Sequence, residues 1–176
     1  PVARLDEIGS RPFKARLLDV DIVIWRSAHG VSIARDLCVH RGTPLSLGSV
    51  EGGEIICPYH GFRYGTDGRC TAIPANPATP IPSKLALRIF PAIERYGLVW
   101  TSLAGSNPRI PAFEAWDSAD FQPILAPTID IAGSAGRQME GFLDVAHFAF
   151  VHLETFGDPG NTAVPAYTVE TTPEGG

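Results

Sequence analysis

Two short stretches, "CVHRGTPLSLG" (Cys38–Gly48) and "CPYHGFRYGTDG" (Cys57–Gly68), each place a cysteine and a histidine inside one tight turn. Cys38 and His40 are two apart, Cys57 and His60 three apart, and sixteen residues separate His40 from Cys57. These four come from only three cysteines and five histidines in the whole chain. Thiolate and imidazole are metal donors, and a structural zinc ion is one chemistry they could serve. Zinc sites, however, commonly pair Cys with Cys and His with His at such spacings. Here each pair is mixed. A cluster of two irons and two sulfides, one iron held by both cysteines and the other by both histidines, needs one thiolate and one imidazole from each of two loops. Gly42, Pro44, Gly48, Pro58 and Gly61 suit tight loops whose backbone N–H groups approach the sulfurs. Neutral imidazoles in place of two thiolates raise the reduction potential to roughly −150 to +300 mV. Such a centre accepts electrons from a flavin or ferredoxin and passes them to a metal.

A second constellation lies in "EGFLDVAHFAFVH" (Glu140–His152), where Asp144, His147 and His152 are the polar minority of an apolar stretch. Either histidine alone reads as a satisfied core residue. Together with a carboxylate they match the donor types of a non-haem Fe(II) site, two His and one carboxylate with positions left open. Asp144 and His147, three apart, would share a helix face. His147 and His152, five apart, would stand about 140° from each other around an ideal helix. They converge only if the helix ends or unwinds between them. His29, in a glycine-containing turn, reads as a solvated surface residue.

The elements that must position these groups are mostly strands. "RLLDVDIVIW" (Arg16–Trp25) is rich in β-branched residues, and "SAHGVS" (Ser27–Ser32) is a turn ahead of "IARDL". Short apolar runs follow at Glu54–Cys57, Phe62–Tyr64, Leu85–Phe90 and Leu98–Leu103, with glycine turns at Gly52-Gly53 and Asp67-Gly68. The prolines between Thr71 and Lys84 predict an extended surface connection. Ala104–Ser118 is the best domain boundary. Beyond it, "FQPILAPTIDI" (Phe121–Ile131) and "PAYTVETT" (Pro165–Thr172) suggest strands, and Arg137–Val151 is the one convincing helix.

The chain has 176 residues, 44% hydrophobic and 19% charged, an ordinary globular composition. Fourteen basic against nineteen acidic residues give −5, with no basic run of the kind nucleic-acid binding favours. No apolar run approaches the roughly 18 residues of a membrane span. No charged, then apolar, then small-residue leader is visible, and three cysteines are too few for a disulfide scaffold, so the expected compartment is the cytoplasm. Pro1 and the terminal "TVETTPEGG" read as cut ends.

"CVHRGTPLSLG…CPYHGFRYGTDGRCTAIP" resembles the Rieske domain of the Rieske non-haem iron oxygenases, the aromatic-ring-hydroxylating oxygenase α-subunit family. In bc-complex Rieske proteins an extra cysteine follows each motif; here Thr43 and Tyr59 stand in those neighbourhoods, and Cys70 reads as a small packed residue. The resemblance implies an α+β protein, with an all-β Rieske [2Fe–2S] domain at 1–104 and the N-terminal part of a helix-grip catalytic domain at 105–176. It implies Cys38, His40, Cys57 and His60 as cluster ligands, and His147 and His152 as ligands of a mononuclear Fe(II). Asp144 is implied as the bridge between the metals, accepting also from His60 of a neighbouring subunit. The family's third iron ligand is a downstream aspartate that nothing here matches; Glu154, Asp158, Glu170 and Glu174 stay unassigned. Gly141 stands where many members carry Asn. The implied activity is O2-dependent hydroxylation or demethylation of a small organic, aromatic substrate. Electrons come from NAD(P)H through a separate reductase or ferredoxin, and the assembly is a homotrimer. The pattern is closer to the α-only monooxygenases and demethylases than to the α/β dioxygenases. The rival is a Rieske-type electron-transfer module without catalysis of its own.

Overall fold

The computed structural model describes residues 1–171 and divides into two compact units, Pro1–Thr128 and a second from Ile129 onward. The first carries β1 (Ala3–Arg4), β2 (Phe13–Leu17), β3 (Val20–Ser27), β4 (Gly30–Arg35), β5 (Ser49–Glu51), β6 (Glu54–Ile56), β7 (Arg63–Tyr64), β8 (Cys70–Ala72), β9 (Ile89–Phe90), β10 (Ile93–Arg95) and β11 (Leu98–Trp100). The second carries α1 (Ala135–Leu143) and the single turn α2 (Phe148–Val151). The described chain is thus mostly β-sheet with few helices.

The strands form three antiparallel sheets, ordered β1-β11-β10, β2-β3-β4-β9 and β5-β6-β7-β8. Alternation explains why the middle sheet is apolar on both sides. Side chains i and i+2 of a strand share a face. In β3, Ile22 and Ile24 join Ile8, Ile33, Phe90 and Val99 in one core, while Val23 and Trp25 join Leu45, Ile55, Phe62 and Tyr64 in another. The apolar run that begins at Val20 is therefore the signature of a strand buried on both faces. Each large apolar side chain fully buried here contributes about 1.5–3 kcal/mol. The Trp25 indole N–H also donates to Gly53 O at 3.0 Å, tying the middle sheet to the β5–β6 hairpin.

Several expectations are corrected. Arg16–Trp25 is a hairpin bend and not one strand: β2 pairs with β3 through Leu17↔Val20, and Leu18 and Asp19 turn with φ of 47° and 61°. Positive φ at both turn residues is the type I′ geometry that fits the twist of a two-residue hairpin. Phe121–Ile131 forms no ladder; Pro123 and Pro127 remove two N–H donors from it. Residues 165–171 are likewise not a strand, and Thr172 and Glu174 lie outside the described residues. The domain boundary is not among these corrections: the sheets end near the composition break, and the compact unit that holds them continues to Thr128. The Tyr96 hydroxyl donates to Pro111 O at 3.2 Å and accepts from the Phe113 N–H at 3.0 Å, and Thr128 Oγ1 donates to Glu7 at 2.7 Å.

The expected helix over Arg137–Val151 is broken. Ser134 caps α1 by accepting the Arg137 N–H at 3.2 Å, and α1 ends at Asp144, whose backbone is extended. The Asp144 carboxylate then accepts the Ala146 N–H at 2.8 Å. A carboxylate that takes a neighbouring backbone donor competes with the helical ladder, and the chain turns before α2 begins.

Candidate metal centre

The two Cys/His loops are closed by the same backbone bonds. In the first, the Gly42 N–H donates to Cys38 O at 2.9 Å and the Cys38 N–H to Thr43 O at 2.8 Å. In the second, the Gly61 N–H donates to Cys57 O at 3.0 Å and the Cys57 N–H to Phe62 O at 2.9 Å. Each turn needs a residue of positive φ four places after the cysteine, and Gly42 (75°) and Gly61 (70°) supply it. The different His offsets, two and three, are thus carried by one loop geometry.

That geometry turns the thiols inward and the imidazoles outward. Cys38 and Cys57 are each 2% exposed within one hydrophobic core, whereas His40 and His60 are exposed. The imidazole centroids lie 4.6 Å apart, His40 stacks on buried Phe62 at 4.6 Å, and His60 lies against Tyr59 at 3.8 Å. Desolvation, then the charges of His60 and Arg41, hold the His40 pKa below the usual imidazole value, favouring the neutral form that ligates metals. Burial, with Cys38 close by, pushes the Cys57 thiol up. The Tyr64 hydroxyl sits 3.1 Å from Cys38 Sγ, where either group can donate, and burial pushes the phenol pKa well up. Among the described residues no three Cys, His, Asp or Glu side chains converge on one point. Two buried thiols beneath two exposed imidazoles, one of each from each loop, are the donor set that a binuclear group with asymmetric ligation takes.

Sequence reading missed Tyr64 and Phe62 as the walls of this site, and Asp36, whose carboxylate accepts from both the N–H (2.8 Å) and the hydroxyl (2.6 Å) of Ser46. The one available signal for Asp36 was a carboxylate interrupting the apolar run "IARDLC". Cys70 is packed in the core with its thiol 3.5 Å from Ala72 O, and His29 is exposed in its turn, both as expected.

In the second unit the broken helix brings the two histidines together. His147 immediately precedes α2 and His152 immediately follows it, so one short turn separates them and their ring centroids stand 5.3 Å apart. His152 stacks on Phe156 at 4.6 Å. Asp144 Oδ2 lies 3.3 Å from His147 Nδ1, brought there by the turn and not by a shared helix face. The Ala146 N–H, then His147, hold the Asp144 carboxyl below its ordinary value. Among the described residues no carboxylate joins the two imidazoles as a third ligand. The donors there fit two of the three protein positions of a non-haem iron site.

The sequence matches the Rieske [2Fe-2S] domain family over residues 1–91. It is 38% identical over 156 residues to the methylxanthine N1-demethylase NdmA of Pseudomonas putida, covering 88% of this chain and 44% of that one. It is 31% identical over 151 residues to the vanillate O-demethylase oxygenase subunit of a Pseudomonas species, covering 84% and 45%. The solved structure of Pseudomonas putida CBB5 NdmA superposes with a TM-score of 0.86 at 34% identity, over 94% of this chain and 53% of that chain. The chain spans about half the length of the curated relatives it matches.

Proposed function

Because the chain belongs to the Rieske [2Fe-2S] domain family, we propose that Cys38, His40, Cys57 and His60 hold a [2Fe–2S] cluster in an oxygenase component. The observation that carries this reading is the pair of identically closed loops, with buried thiols below and exposed imidazoles above. The cluster, when bound, supplies one-electron storage. The protein's part is to exclude water from the sulfurs, to offer the Tyr64 hydroxyl to Cys38, and to leave the imidazole edge open to a partner.

We place a mononuclear Fe(II) at His147 and His152, where it supplies O2 chemistry. Residues 1–104 then form the Rieske domain and residues from 105 the opening of a catalytic domain. With His147 Nδ1 facing Asp144, Nε2 is the nitrogen left for iron, and the carboxylate fixes that ring's orientation. Asp144 also couples the two metals, and a small aromatic substrate is hydroxylated or demethylated with electrons from an NAD(P)H-dependent reductase or ferredoxin. Demethylase names among the relatives support that reaction class. The assembly is a homotrimer. The rival reading is a Rieske-type electron-transfer module without catalysis of its own.

Iron and sulfide analysis with EPR spectroscopy of reduced protein separates these readings. The oxygenase expects about three irons per chain, two with sulfide in a low-average-g Rieske signal, and one lost on His147→Ala without change to that signal. About two irons in both proteins selects the carrier. A colourless protein with stoichiometric zinc would falsify the cluster. For the coupling role, Asp144→Asn should leave the cluster reducible while its reoxidation by O2 with substrate slows by orders of magnitude; parent rates would place the electron route elsewhere.

A further inference from the structure

The two loops are closed alike at the cysteine, but not at their base. The second loop leaves β6 and re-enters β7 of the same sheet, so the Ile56↔Arg63 pairing holds its ends together. The first leaves β4 of the middle sheet and enters β5 of another, so no ladder joins its ends. Asp36 stands at its entry and Ser46 near its exit, ten residues apart, and the carboxylate takes both Ser46 donors. Asp36 is the one buried carboxylate among the described residues, 5% exposed, and its own N–H donates to Asp21 O at 3.0 Å. The bond to Ser46 also fixes the helical turn Leu45–Leu47, whose Leu45 fills the core beside Cys38 and Cys57.

We propose that Asp36 and Ser46 act as positioning residues, a side-chain clasp that replaces the missing ladder and holds Cys38 and His40 at the spacing a binuclear group requires. This rests on the reading of that loop as half of the cluster's cradle. The asparagine side chain keeps the clasp, because its carbonyl accepts the Ser46 N–H and its amide donates to the Ser46 hydroxyl. Alanine removes both bonds. Asp36→Asn and Asp36→Ala therefore lose the same charge, and only asparagine keeps the clasp.

Amide hydrogen exchange on the metal-free chain tests the clasp itself. In Asp36→Ala, residues 38–48 should exchange about tenfold faster than in the parent, a tenfold loss of local protection being what two lost hydrogen bonds readily produce. Residues 57–62 should be unmoved, and Asp36→Asn should match the parent. Ser46→Ala, which keeps the backbone bond, should fall between and serves if Asp36→Ala does not fold. On the loaded chain, Asp36→Ala should broaden or shift the EPR signal and speed cluster loss to a chelator. Ile33→Val, which loosens the other core, should leave the EPR signal unchanged. Equal exchange in Asp36→Ala and the parent, a rise spread over both loops, or the same EPR change in Ile33→Val overturns the proposal. Selective loosening of 38–48 in a chain that takes up no cluster leaves the clasp standing and overturns the cluster reading instead.

Discussion

A hydroxyl aimed at a sulfur is a small device with a measurable electrical effect. Tyr64 is fully buried, its phenol is kept protonated, and it lies 3.1 Å from Cys38 Sγ. A donor to a cluster sulfur favours the more negative, reduced state. Removing one such bond costs about 1 kcal/mol, which for a one-electron couple is about 40 mV. Tyr64→Phe should therefore lower the cluster's reduction potential by about that much, read by redox-poised EPR; an unchanged potential would show that the bond is not made to the loaded site. The cysteines and histidines were legible because their types are rare and their spacing is chemically restrictive. Tyr64 was not, because a tyrosine in a strand reads as packing until the fold brings its hydroxyl to a thiol 26 residues away.

At the scale of elements, turns decide what the sequence reveals. Gly52-Gly53 announced its hairpin, and Tyr96-Gly97 forms another of the same φ signs. Leu18-Asp19 makes the same turn without a glycine, so the strand signal ran straight through it. Leu18 holds φ of 47° and is 83% exposed, so strain there is not compensated by packing. An L residue in the left-handed region costs roughly 1 kcal/mol. The double substitution Leu18→Asn with Asp19→Gly should raise thermal stability by about 1 kcal/mol, a few degrees in melting temperature; no rise would mean the turn is relaxed. The helix around Asp144 was misjudged for the complementary reason. Its apolar periodicity continues past the break, and only the competition of a carboxylate for the Ala146 N–H ends it. The convergence of His147 and His152 depends on that break, as the five-residue spacing required.

For the whole molecule, charge and apolar surface are unevenly shared. Residues 1–128 hold 13 basic and 12 acidic side chains, a net +1, and residues 129–176 hold 1 and 7, a net −6, so the net acidity of the chain lies entirely in the second unit. That unit also exposes Met139, Phe142, Leu143, Phe150 and Val151, and α1 buries no residue. The first unit carries both cores within itself. A chain ending at Thr128 should accordingly keep the cluster spectrum, gain soluble yield, and show a single calorimetric transition whose midpoint falls when the metal is removed; two resolved transitions would contradict it. The single transition follows from β3. Ile22 and Ile24 serve one core while Val23 and Trp25 serve the other, so no part of the strand can let go of one side and keep the other. Cooperativity is thereby written into one strand, and an event at the metal loops, such as oxidation of a thiol or loss of iron, is felt as a change in the lifetime of the entire unit.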